Sequence, residues 1–334
     1  MAKTKQSATK KGQKKPKVVT GSGKKKQTRP FFWQGRSRIF LIAIFALSFG
    51  AIGFYLLKNS LADTGTTITV ASWNSKIDNK NNIADEVKTI LKKANVVGLQ
   101  EVHTAKQRNN IQKLIESNKY AVSPKAHTNN DSKAGVESYA IVWREKEFFR
   151  VKEGVTGQVS PDLDGLRPRY ITWVKLQQRA TGKQFYVVNT HLVRDVEING
   201  SLNTSKSFQD NVAAYKGHMS KLVALVKNLQ KDKVPVFVTG DFAVDYRKDT
   251  GKVSTFPKAA LGAIGVKSNW QLTNLNGIAS KAKTYGGSNR LIDYVFSWGV
   301  TPQSTAIGGS KHGSDHYPVY FTADLTVTSS VDTR

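Results

Sequence analysis

NVVGLQEV, residues 95–102, is an apolar run that closes on an amide and a carboxylate, Gln100 and Glu101. It reads as a strand whose last residues are polar. Five other stretches share the habit: Trp73-Asn74, Val188-Asn189-Thr190-His191, Thr239-Gly240-Asp241, Leu291-Ile292-Asp293 and Ser314-Asp315-His316. One Asp or His at a strand end is ordinarily a turn residue or a cap. Six such ends brought to one edge are another matter, because burying an unpaired carboxylate costs several kcal/mol. A shared cation removes that cost. The set offers carboxylates and amides suited to a hard, oxygen-loving ion such as Mg²⁺, and two imidazoles for proton transfer.

Outward from these ends, the chain from Thr66 alternates short strands with helices. TITVASW (67–73) reads as a strand, and Ile83, Val87, Ile90, Leu91 and Ala94 recur at helical spacing. Further strands are expected at 138–143, 170–177, 184–190, 234–239, 292–297 and 317–325. A long amphipathic helix is expected over 206–230, with Phe208, Val212, Tyr215, Met219, Leu222, Val223 and Val226 on one side. Many strands, interspersed helices and few strict strand–helix–strand repeats predict an α+β fold of two packed sheets covered by helices. Residues 66–334 read as one domain, without internal repeats.

The segment before it differs in kind. Residues 1–38 carry 13 Lys and Arg and no acidic residue, with no hydrophobic periodicity, so a disordered basic tail is expected. Residues 39–57, IFLIAIFALSFGAIGFYLL, contain no charge. As a helix they would reach roughly 28 Å, close to the thickness of a bilayer's hydrocarbon core. Phe31, Phe32 and Trp33 suit the interface, and Arg36 and Arg38 flank the same end, which places the N-terminus in the cytoplasm and the rest outside. The reading is a single-pass signal anchor, a 58–65 linker and an external domain in the cell membrane, the tail touching anionic headgroups. Secretion after cleavage near Ala62 is the alternative. Residues 63–334 hold 37 basic against 24 acidic residues, a balance that favours a polyanionic partner. With no cysteine, disulfides, thiolate metal sites and cysteine nucleophiles are excluded.

The ordered set WN, LQEV, NTHL, GDF, IDYVF and SDHYPV resembles the endonuclease/exonuclease/phosphatase superfamily over 68–325, and within it the deoxyribonuclease-I-like nucleases. That resemblance implies a four-layer α/β sandwich, two mixed sheets flanked by helices, preceded here by the transmembrane helix. It implies Glu101 as the main Mg²⁺ ligand, with Asn74 beside it and Asp315 completing that side; Mn²⁺ could substitute, and relatives also carry Ca²⁺. His316 oriented by Asp293, and His191 oriented by Glu137 of ESYAIVWR (137–144), would form the acid–base pair. The working assignment has His316 activating water and His191 protonating the leaving oxygen. Asp241 would position the nucleophile or ion, and Arg169 would clamp a phosphate oxygen.

One departure is marked. The family pattern GDFN reads Gly240-Asp241-Phe242-Ala243 here, which removes an amide donor that Asn189 or a water would have to replace. The expected activity is Mg²⁺-dependent hydrolysis of nucleic acid, DNA before RNA, by an endonuclease that is a monomer with no inferred protein partner. The alternatives are a lipid or small-molecule phosphoesterase of the same superfamily, or a nucleic-acid-binding protein weakened by Ala243. Of the other histidines, His312 is placed in the loop before Ser314, within reach of substrate; His103 follows Glu101 closely but is read as facing away from the site, and His127 and His218 are placed on the surface or a helix.

Overall fold

In the computed structural model, residues 66–325 are described apart from 80, 125–134, 162, 164–167 and 274–281. The expected tail, span and linker, the cleavage point at Ala62, and His127 lie outside the described residues. Among the described residues no helix is long and apolar enough to cross a membrane.

Two six-stranded sheets carry the fold. The first has the order β13-β14-β1-β2-β4-β3, from β13 (Thr301–Ile307), β14 (Val319–Asp324), β1 (Thr67–Asn74), β2 (Val96–Gln100), β4 (Ile141–Arg144) and β3 (Tyr120–Ser123). The second runs β11-β12-β10-β7-β6-β5, from β11 (Lys267–Ser268), β12 (Asp293–Trp298), β10 (Val236–Asp241), β7 (Gln184–His191), β6 (Ile171–Gln178) and β5 (Phe148–Val155). Each sheet is antiparallel except for one inner parallel pair, β1 with β2 and β7 with β10. A small hairpin, β8 (Glu197–Ile198) and β9 (Ser201–Leu202), stands apart.

The inner strands are buried on both faces, and their alternation sorts side chains into two cores. Ile68 and Val70 of β1 join Val96, Ile141 and Phe321 in the core shared with the second sheet, while Ala71 and Trp73 join Val97, Leu99 and Val142 on the other side. That second core is closed by α1 (Ile83–Leu91) and α2 (Ala105–Glu116), through Ile83, Val87, Ile90, Ile111 and Leu114. Asn82 caps α1 by accepting from the Ala84 N–H, and Thr104 with Gln107 forms a reciprocal capping box on α2. The long helix is α3 (Gln209–Leu229), which buries Val212, Tyr215, Met219, Leu222 and Val226; Phe208 and Val223 of the expected face are half-buried. Its expected ends at 206 and 230 fall in 3₁₀ turns. The short α4 (Pro257–Gly262) and α5 (Asn269–Leu272) complete the set.

Between the sheets lies a polar seam. Gln100 Nε2 donates to Asn189 Oδ1 at 2.7 Å, Asn189 Nδ2 donates to the Leu99 carbonyl at 2.7 Å, and Thr239 Oγ1 donates to Asn189 Oδ1 at 3.0 Å. Gly98 makes room for it. A Cβ there would stand 2.0 Å from Thr239 Oγ1 and 2.7 Å from Asn189 Oδ1. Gly98→Ala is therefore expected to destabilise the protein by about 1–3 kcal/mol through overpacking. A denaturation midpoint equal to that of the unaltered protein would show that the sheets separate freely at this point.

Candidate active site

Strand direction decides where the polar ends meet. β1 and β2 run in parallel to Asn74 and Gln100, and β7 and β10 run in parallel to His191 and Asp241. The antiparallel strands bring their first residues to the same edges. Asp293 opens β12 opposite Asp241, and His316 lies just ahead of β14, which pairs back along β1. The two sheets present these edges to one another, so that Asn74 Nδ2 of the first donates to Asp241 Oδ2 of the second at 3.2 Å.

Asp241 is the hub. Its Oδ1 accepts from the Ala243 N–H at 3.0 Å, and its Oδ2 stands 3.5 Å from His191 Nε2 and 3.8 Å from His316 Nε2. Burial and the neighbouring Asp293 charge push the Asp241 carboxyl well above the usual carboxylate range, against the pull of His316 and the Ala243 N–H. His316 Nδ1 bonds Asp293 Oδ2 at 2.9 Å. Burial alone would lower the His316 pKa, but Asp293, Asp241 and Asp315 outweigh it and raise it to about 10. The imidazole is seated by Trp73 Nε1, which donates to the His316 carbonyl at 3.3 Å, by Ser314, whose Oγ donates to the Asn74 carbonyl at 2.7 Å, and by the Tyr285 ring.

Glu101 has φ +62°, a left-handed backbone unusual outside glycine, and such strain is often held at functional sites. Its Oε1 accepts from Asn74 Nδ2 at 3.0 Å, and its Oε2 from the Ile77 N–H at 2.9 Å. These residues line a cavity of about 400 Å³, whose wall includes Glu101, Arg169, His191, Asp241, Asp315 and His316.

Several sequence-based placements change. The Nδ1 of His191 meets Arg169 Nη1 at 2.7 Å, so its partner is a guanidinium and not Glu137, which sits on the 3₁₀ turn Val136–Tyr139. Burial and the Arg169 charge lower the His191 pKa well below its usual value, so the ring is neutral and Nδ1 accepts. Asn189 is fully buried and spends its amide on the seam between the sheets; it neither faces phosphate nor replaces an amide at 243. His218 is helical as expected but wholly buried, bonding Thr190 Oγ1 at 2.7 Å. His103 lines the cavity, and its Nδ1 lies 3.0 Å from Ser138 Oγ. His312 packs edge-on against Trp73. Lys76, Arg194, Tyr285 and Arg290 also line the cavity, and the sequence reading passed over all four. Lys76, Arg194 and Arg290 each lie within three residues of an expected site residue, Asn74, His191 and Asp293.

The donor set fits a divalent cation. Glu101 and Asp241 flank the Asn74 amide, and Asp293 Oδ1 is buried without a hydrogen-bond partner. Asp241, Asp293 and His316 each offer a ligand atom within 4.8 Å of the others. This buried group differs from the expected trio of Glu101, Asn74 and Asp315, of which Asp315 stands at the rim with its side chain 36% exposed.

No family model matches the sequence, and no curated protein matches it. Solved structures do. The endonuclease/exonuclease/phosphatase from Bacteroides vulgatus is 19% identical with a TM-score of 0.54, the match covering 78% of this chain and 99% of that one. The human Nocturnin catalytic domain is 15% identical with a TM-score of 0.56, covering 78% and 95%. D. rerio TDP2 complexed with single strand DNA product is 16% identical with a TM-score of 0.51, covering 77% and 99%. At these identities the likeness establishes the fold, that of the endonuclease/exonuclease/phosphatase proteins.

Burial lowers the His218 pKa to about 3, so the folded protein holds it neutral where the unfolded chain protonates near 6.5. The stability it contributes is present above about pH 6.5 and is lost as pH falls toward 3, by at most about 1.4 kcal/mol per pH unit. His218→Gln should flatten the fall in unfolding free energy between those limits. Equal slopes for the two proteins would remove His218 from the acid response.

Proposed function

We propose that this chain is a divalent-metal-dependent phosphodiesterase that cuts nucleic acid, DNA before RNA, and that residues 39–57 anchor it with the catalytic domain outside the cell. The observation that carries the reading is the meeting of the His316–Asp293 pair, Asp241 and the His191–Arg169 pair in one cavity. The positive balance of residues 63–334 supports a polyanionic substrate, as does the shared fold of D. rerio TDP2 complexed with single strand DNA product.

Glu101, with Asp315 near it, would hold Mg²⁺, or Mn²⁺ in its place, its carboxylate fixed by Asn74 Nδ2 and the Ile77 N–H. When bound, the ion supplies positive charge to a phosphoryl oxygen. The chain's own residues do the proton work. His316, kept protonated by Asp293, gives its Nε2 proton to the leaving oxygen. Asp241, its carboxyl raised toward neutrality, takes a proton from the attacking water and aligns it. His191 donates from Nε2 toward Asp241 while Arg169 holds its other nitrogen. These roles differ from the working assignment in making His316 the acid and Asp241 the base, following the raised pKa of each.

A lipid phosphodiester is the second reading. It draws on the apolar span and on Ile198, half exposed on the β8–β9 hairpin whose Glu197 bonds a cavity residue, Arg290. The full chain, given plasmid DNA, single-stranded DNA, RNA and a lipid phosphodiester with Mg²⁺ or a chelator, separates the two. DNA should be cleaved only with metal, plasmid nicking should mark internal cuts, and binding should weaken steeply with salt. Cleavage of lipid alone would favour the second reading, and no metal-dependent cleavage at all would end both. His316→Gln should lower kcat by about 10²–10⁴.

The pH profile supplies a sharper check. Activity should rise as Asp241 loses its proton and fall as His316 loses its own near pH 10. Asp293→Asn removes the charge that raises His316, so the alkaline limb should shift to lower pH. An unmoved limb would detach His316 from the proton donor's role.

A further inference from the structure

Arg290 lines the cavity beside Asp241, Ala243 and His316, and none of the roles above uses it. Its guanidinium is held from one side. Nη2 donates to Glu197 Oε2 at 3.0 Å and to the Ala243 carbonyl at 2.7 Å, and among the described residues its hydrogen bonds all run through that nitrogen. Nε and Nη1 keep their N–H groups for something else. The anchor is firm: the Glu197 side chain is only 2% exposed, and its other oxygen accepts from the Gly200 N–H at 2.8 Å, across the turn of the β8–β9 hairpin. The Arg290 side chain itself is 30% exposed.

Position 243 lies beside Arg290 on the same wall. Ala243 has φ +59°, a backbone that Asn or Gly adopts with least strain, and its methyl contributes no donor to the cavity wall. Arg169 is poorly placed to make up the loss, since it is 4% exposed and spends Nη1 on His191. The cavity also gathers the carboxylates of Glu101, Asp241 and Asp315, with Asp293 buried behind His316, and against these a phosphate needs a fixed positive group.

We propose that Arg290 is a catalytic phosphate-binding residue: its Nε and Nη1 donate to a non-bridging oxygen of the scissile phosphate, in place of an amide at 243, with Glu197 holding the guanidinium ready. The assignment deepens the phosphodiesterase reading and rests on it. Arginine suits the task because its planar fork binds phosphate oxygens in pairs.

The test uses the full chain, Arg290→Gln, Arg290→Lys, Ala243→Asn and the Arg290→Gln/Ala243→Asn double variant. The rate on bis(p-nitrophenyl) phosphate with Mg²⁺ is measured beside inorganic phosphate binding by calorimetry in chelator. Arg290→Gln should lower kcat by about 10²–10³ and weaken phosphate binding about tenfold. Arg290→Lys keeps the charge opposite Glu197, and so the fold, while losing the fork, and should also lose rate. In the Arg290→Gln background Ala243→Asn should recover about tenfold or more. A folded Arg290→Gln protein with unchanged rate and phosphate binding would overturn the proposal, as would a double variant no faster than Arg290→Gln. If the unaltered protein cleaves no phosphodiester, the wider reading fails, and phosphate binding alone then decides for or against Arg290.

Discussion

Asp241 and Asp293 face each other across the β10–β12 ladder, both buried, and the site is arranged around that repulsion. Like charges in register destabilise a sheet, and removal from water makes each more expensive still. Three devices answer it. His316 takes a proton and bonds Asp293, Asn74 reaches from the other sheet to Asp241, and the Ala243 N–H caps the remaining Asp241 oxygen. What is left over, the unpartnered Asp293 oxygen and the raised Asp241 carboxyl, is the chemical capacity of the site. The chain keeps this costly cluster where the edges of its two sheets meet.

That cluster holds its shape because the sheets beneath it are locked to one another by hydrogen bonds as well as by apolar contact. Apolar faces tolerate sliding, whereas the Gln100–Asn189–Thr239 bonds have one satisfactory register. Asn74 and Glu101 come from one sheet and His191, Asp241 and Asp293 from the other. A slip of either would part the two halves of the site.

The sequence showed the larger plan and missed the local exchanges of partner. Polar strand ends were legible because charge at the close of an apolar run is expensive wherever it occurs, and all six do meet at one edge. The face of α3 was legible because its apolar spacing is long and regular. By contrast, α2 buries only Ile111 and Leu114 among its apolar residues, so its periodicity is faint, although its Thr104–Gln107 capping box was there to be read. β5 and β13 are edge strands with mostly exposed side chains and no apolar alternation. The exchange of Glu137 for Arg169 beside His191, and the inward turn of Asn189, depend on side-chain direction across two sheets, which no linear spacing records. Arg290 went unread for a related reason. Its value comes from Glu197, ninety-three residues away in the chain.

The order of strands in the first sheet also governs when the cluster can exist. β14 inserts between β13 and β1, at the far end of the chain from its neighbour β1, and only its arrival brings His316 to Asp293. During synthesis, therefore, a polypeptide that ends between residues 293 and 316 carries Asp241 and Asp293 without the imidazole that answers them. Under the proposed reaction the proton donor is the last group to arrive, so the site is complete only at the final step of assembly.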